Sequence, residues 1–217
     1  MITQGEQHMK TVFKWASSLV IFAVSTTPAF AITPLAQVQS DWAKCQYKMK
    51  SSDDQERCFE RVIMRNTLEM KSSNSPELKV WLAINKSSLA GVKGGLGALS
   101  LVKEAKLLYE EVIDQAPNTL DGSAFTSLGT LYYKVPGWPV AFGDDVKAEE
   151  LLQRALLINP TGIDANYFYG DFLAEQGRTD EARKYLLQAQ QAPARPQRAI
   201  ADAGRQQEIA LLLENLK

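Results

Sequence analysis

The residues able to do chemistry in this chain are few. Cys45, Cys58 and a single histidine, His8, are its only thiol and imidazole groups. The cysteines lie 13 positions apart, not in the C-x-x-C spacing of a redox pair. A lone histidine at the extreme N-terminus leaves no Ser-His-Asp or Cys-His arrangement, and no zinc or iron site built on His and Cys. Paired carboxylates remain as possible acid and base, at Asp144-Asp145 and Glu110-Glu111. Asp144 follows Gly143 at the start of a helical stretch, where it would cap free N–H groups. Glu110-Glu111, beside Tyr109, reads as a solvated helix face. Gly94-Gly95-x-Gly97 is not a phosphate loop: no Lys-Ser/Thr follows and no strand precedes it. It reads as a break between helices or a place where two backbones approach closely. The expectation is therefore no catalytic residue, no metal and no cofactor.

Lys and Arg number 24 against 25 Asp and Glu, which lacks the basic footprint of a nucleic-acid binder. Apolar residues make up 45% and charged residues 23%, a globular balance. Lys10 and Lys14, the apolar run Trp15 to Val24 and the Ala29-Phe30-Ala31 triplet form a secretory leader. Its apolar run of about ten residues is half of what a membrane span needs, so no stable membrane anchor is expected. Met9 opens a conventional leader, and cleavage after Ala31 leaves a periplasmic chain without histidine. In an exported protein Cys45 and Cys58 read as a disulfide near the mouth of a helical hairpin, contributing about 3 kcal/mol. Two buried free thiols are the other reading.

The elements that must position any site show internal repetition. Ala105-x3-Tyr109-x2-Val112 runs to Pro117, Ala148-x3-Leu152-x2-Ala155 to Pro160, and Ala182-x3-Leu186-x2-Ala189 to Pro193. Before the last two stand Phe125-x2-Leu128-Gly129-x2-Tyr132 and Asn166-x2-Tyr169-Gly170-x2-Leu173. Over roughly Ser100 to Pro193 this resembles the tetratricopeptide (TPR) repeat, W-x2-L-G-x2-Y, then A-x3-F, then P. The resemblance implies an all-α, right-handed solenoid of helix hairpins, with small Gly and Ala where paired helices cross and a proline stopping the second helix. Pro34 to Met49 and Asp54 to Lys71 read as one further hairpin, and Ser75-Pro76 as the capped start of another helix. Ala199 to Leu216 reads as a capping helix. The expected divisions are 1–31 leader, 32–99 N-terminal hairpins, 100–193 repeats and 194–217 cap.

Two surfaces are candidates for binding. Between the paired helices, Val135-Pro136-Gly137-Trp138-Pro139-Val140-Ala141-Phe142-Gly143 inserts seven residues more than the next repeat carries. Trp138 and Phe142 on a loop stiffened by two prolines would suit recognition, because little entropy is lost on binding. The alternative is that Trp138 folds back over its own helix pair. The TPR resemblance also implies a concave groove lined by the first helix of each pair. By register it holds Ser123, Thr126, Thr130 and Tyr133, then Asp164, Tyr167, Asp171 and Ala174, a set suited to a peptide or polar ligand. The stretch Pro193 to Arg198 with Arg205 is locally basic, suited to an acidic partner or to a solubilising link.

The runs Leu128 to Pro139 and Asn166 to Asp171 are similar to exported bacterial TPR proteins such as the T component of TRAP-type solute transporters. That component is a periplasmic lipoprotein held to bind its transporter's substrate-binding protein or an apolar ligand, and to self-associate. This chain departs from it in having no cysteine at the cleavage site. A protein or peptide partner in the groove is thus the first expected function. A small apolar ligand, carried by a transporter accessory, is the second.

Overall fold

The structure, a computed structural model, describes residues 32–216; the expected leader and its expected cleavage site lie outside these. Nine α-helices occur among the described residues: α1 (Pro34–Lys48), α2 (Ser52–Ser72), α3 (Pro76–Lys93), α4 (Gly95–Gln115), α5 (Ser123–Lys134), α6 (Asp145–Ile158), α7 (Ile163–Glu175), α8 (Thr179–Gln190) and α9 (Ala199–Asn215). A short 3-10 turn, Pro196–Arg198, precedes the last. The fold is an all-α helical repeat solenoid in which α1–α2, α3–α4, α5–α6 and α7–α8 pack as antiparallel hairpins.

Helix starts are set by local chemistry. Ser75 accepts from the Leu78 N–H at 3.2 Å ahead of Pro76, and Asp144 accepts from the Lys147 N–H at 3.0 Å. Each satisfies a first-turn donor that has no partner within the helix. Gly94 and Gly95, at φ +63° and +59°, reverse the chain between α3 and α4 without a loop. That fold-back needs the left-handed region where Gly carries no steric penalty. The expected division at 99/100 falls inside α4, so α3–α4 is a single hairpin continuous with the repeats.

Hairpin packing follows the small residues. A Cβ on Gly129 would lie 2.8 Å from Leu152 Cγ, and one on Gly170 would lie 2.9 Å from Leu186 Cγ. Ala105, Ala148 and Ala182 are fully buried. The backbones thus approach where the repeat places Gly on one helix and Ala on the next. Larger residues such as Tyr109, Leu152, Phe172 and Leu186 fill the space on either side. Cys45 and Cys58 are disulfide-bonded across α1 and α2, with their Cα atoms 5.5 Å apart.

The solenoid does not end as an open stack. Helix α9 packs on α7 and α8 and also reaches α1. Ala201 enters the core that α1, α2 and α3 share, and the Tyr47 hydroxyl donates to Glu208 Oε2 at 3.3 Å. Gly204 lies directly under the Tyr47 ring, where a Cβ would stand 2.5 Å from Cε1 and Cγ. Gly204→Val is therefore expected to part this seam at a cost of about 1–3 kcal/mol. Limited proteolysis should then cut the 194–217 segment faster while the helical circular dichroism persists. Cleavage at the unaltered rate would mean that the seam contributes nothing.

Candidate functional site

The inner faces of α1, α3, α5 and α7 converge on one groove, and α9 with the 3-10 turn closes its far side. Its cavity measures about 680 Å³. On α5 the lining residues Ser123, Ser127, Thr130 and Lys134 recur at i, i+4, i+7 and i+11; on α7, Asp164, Phe168 and Asp171 recur at i, i+4 and i+7. That is a single stripe on each helix, so the hydroxyls and carboxylates share a wall. The sequence-predicted residues Ser123, Thr126, Thr130, Asp164, Tyr167 and Asp171 all line this cavity.

Tyr133 and Ala174 do not. The Tyr133 ring sits behind the wall, edge-on to Phe172 at 5.5 Å, and its hydroxyl donates to Asp171 Oδ2 at 2.8 Å. Lys134 Nζ reaches the same Asp171 oxygen at 2.9 Å. Asp171 is thereby fixed from two sides, and burial together with this carboxylate pushes the Tyr133 phenol up. Tyr133 thus holds a groove residue from behind the wall.

Sequence reasoning missed two components. The first is an aromatic wall: Trp42 and Trp81 meet edge to face at 5.5 Å, and Trp42 Nε1 donates to Ser88 Oγ at 2.9 Å. The second is the cap. Arg198 and Arg205 line the cavity instead of forming a solvated link. Arg205 donates to Asp164 Oδ1 at 3.0 Å and to Glu208 Oε2 at 2.5 Å, and lies 4.3 Å from the Tyr167 ring centroid. Arg195 donates to Asp164 Oδ2 at 2.8 Å and to both oxygens of Asp202. Burial alone would raise the Asp164 carboxyl, but Arg205, Arg195 and Arg198 outweigh it and hold it well below the usual carboxylate range. Burial pushes the Tyr167 phenol up to about 12. The locally basic run from 195 to 205 and Asp164 were each visible in the sequence; their pairing was not.

The inserted loop is anchored at one side and open at the other. Phe142 tucks edge-on against Tyr132 at 5.3 Å, with Lys106 Nζ 5.8 Å above its ring. The Gly143 N–H donates to Pro136 O and the Asp144 N–H to Tyr132 O, both at 2.9 Å. Trp138 is 90% exposed, so it does not fold back on its helix pair. Beneath the loop lies an apolar cleft of about 350 Å³ lined by Leu96, Leu99, Val102, Leu131, Pro136 and Val140. The cleft and the groove share Ser87, Gly91, Leu131 and Lys134, so they adjoin each other.

The carboxylate pairs are spent on structure: Asp144 caps α6, Glu110 pairs with Lys106 at 2.6 Å and Glu111 with Lys79 at 2.5 Å. Among the described residues no three His, Cys, Asp or Glu side chains cluster closely enough to hold a metal. No described helix is long and apolar enough to cross a membrane.

Comparison with known proteins agrees with this architecture. The tetratricopeptide repeat family model matches residues 140–205, from the inserted loop to the start of α9. The crystal structure of TTC0263, a thermophilic TPR protein of Thermus thermophilus, aligns with a TM-score of 0.53. It is 20% identical, over 83% of this chain and 81% of that one. None of the curated proteins matches the chain.

Proposed function

We propose that this chain is a non-enzymatic, exported TPR-like scaffold that holds a protein or peptide segment in its inner groove, with Thr126, Thr130, Tyr167 and Asp171 as hydrogen-bonding wall and Trp138 as an outer contact. The observation that carries this reading is the groove's wall of hydroxyls and carboxylates lying beside the apolar cleft under the Trp138 loop. An extended segment could place polar groups in one and an apolar side chain in the other. The leader-like N-terminus and the disulfide support export to the periplasm.

A photo-reactive amino acid at position 138, activated in the producing cell, tests it. One discrete adduct is expected, and Thr130→Arg, which fills the groove, should abolish it. An adduct indifferent to Thr130→Arg, or none, would overturn the reading.

One observation favours a second reading. A cavity of about 680 Å³, bordered on one side by the cap, is also the size of a small-molecule site. A transporter accessory of the TRAP T-component type would carry such a ligand there. Native mass spectrometry of gently purified protein separates the two: an added mass of a few hundred daltons favours the small ligand, and a second polypeptide favours the scaffold.

A further inference from the structure

The cap brings three arginines to one side of the groove, and their pairing is uneven. Arg195 is engaged by Asp202 and Asp164, and Arg205 by Asp164 and Glu208. Arg198 has one long ion pair, 4.0 Å to Asp164, and its side chain donates no hydrogen bond among the described residues. Its side chain is only 18% exposed, and its Nε is buried without an acceptor. The guanidinium stacks 4.9 Å from the Trp81 ring centroid, and Trp81 Nε1 is itself buried without an acceptor. Both residues line the cavity. Burial, together with the repulsion of Arg195 and Arg205, pulls the Arg198 guanidinium down, and Asp164 and Asp202 only partly offset it.

Stacking on an indole attracts the charge but satisfies none of the guanidinium N–H groups. A largely buried cation with idle donors is costly, and so is a buried indole N–H without a partner. An anion entering the groove would meet the charge and the terminal N–H groups of Arg198, whose side chain keeps 18% exposure. The neighbouring surface decides what such an anion is attached to. Trp42, Trp81, Tyr167 and Phe168 wall the cavity, so flat or apolar matter fits beside the charge. A planar carboxylate matches the guanidinium fork, which can donate to both its oxygens.

We propose that Arg198 is the receptor for a carboxylate of the groove's ligand, with the Trp42–Trp81 wall taking the attached aromatic or apolar group. This deepens the binding role assigned to the groove and rests on it.

Phenylacetate and its neutral isostere phenylacetamide are the probes, titrated by calorimetry into the purified protein and into R198Q and R198K. The indole N–H resonance of Trp81 is followed in parallel. Phenylacetate should bind at least about tenfold tighter than the amide, the worth of one charge-assisted pair. R198Q should erase the difference, R198K should keep part of it, and the Trp81 resonance should move with the acid only while position 198 is charged. Matching thermal melts show that the variants are folded. A tetrapeptide ending in phenylalanine, as free acid and as amide, identifies the source. Tighter binding of the free-acid peptide points to a chain terminus, and tighter binding of phenylacetate to a free organic acid. Equal binding of acid and amide, or acid binding unchanged in R198Q, overturns the proposal while leaving the groove as a binding site. No binding by any probe overturns it as well; the groove then stands or falls on the adduct at position 138.

Discussion

Replacing Asp164 with alanine is expected to lower the free energy of unfolding by about 3 kcal/mol at neutral pH. Among the described residues Asp164 is the one carboxylate that reaches three arginines, at 2.8 Å to Arg195, 3.0 Å to Arg205 and 4.0 Å to Arg198. The Arg205 side chain is 8% exposed, and without Asp164 it keeps only Glu208 and the faces of Tyr167 and Phe168. The loss is therefore that of a largely buried cation short of its partner, not that of a surface ion pair. The Asp164 side chain keeps 30% exposure, which places the figure at the lower end for such pairs. The pH dependence follows with a definite sign. The folded carboxyl titrates below its unfolded value of about 4, so its contribution is fully present above that pH and falls away as acid is added. Urea titrations of the wild type and Asp164→Ala should therefore differ most near neutrality and converge below pH ~4. A constant gap down to acid pH would show that the charge of Asp164 is not what holds the cluster.

Reducing the Cys45–Cys58 bond is expected to cost about 3 kcal/mol as well, a fall in melting temperature of roughly 6–12 °C for a domain of this size. The bond closes a loop of 13 positions between two helices, and in the chain-entropy account its weight lies in restraining the unfolded chain. A local consequence goes with it. Helix α1 carries Trp42, Gln46 and Tyr47 to the groove wall, so the reduced protein should also show altered tryptophan fluorescence. The double variant Cys45→Ala/Cys58→Ala should reproduce both effects, and a melting temperature insensitive to reductant would show the bond to be structurally idle.

Most of the fold could be read from neighbouring residues because repeats are built from near contacts. Gly129 with Ala148 and Gly170 with Ala182 announce two close helix crossings, and both are seen in the structure. Ser75 and Asp144 announce helix starts through their side-chain oxygens. Six of the eight groove positions assigned by register face the cavity. Tyr133 fails because helical phase places a large ring over the next hairpin's Phe172, where burial is worth more than exposure to the groove. The missed contacts of the cap share one cause. Nothing near Arg198 or Arg205 in sequence signals Trp81 or Asp164, and nothing near Tyr47 signals Gly204. These contacts depend on the curvature accumulated over four hairpins, which no local pattern encodes. Trp138 stayed ambiguous for a different reason. An exposed and a self-packed tryptophan have the same sequence, and only the placement of Phe142 as the loop's anchor separates them.

The seam between α1 and α9 changes what kind of polymer this is. Repeat arrays are quasi-one-dimensional: each unit leans on its neighbours, and the terminal units melt first. Here Tyr47 and Glu208, 161 positions apart, hold each other, so neither end can fray without releasing the other. The chain should then unfold as one cooperative block rather than unit by unit. The same closure slows its making. Contacts spanning most of the sequence must wait for a large loop to close. Helices α1 and α2, synthesised before α9, have to keep their face for it uncovered until that 17-residue helix arrives.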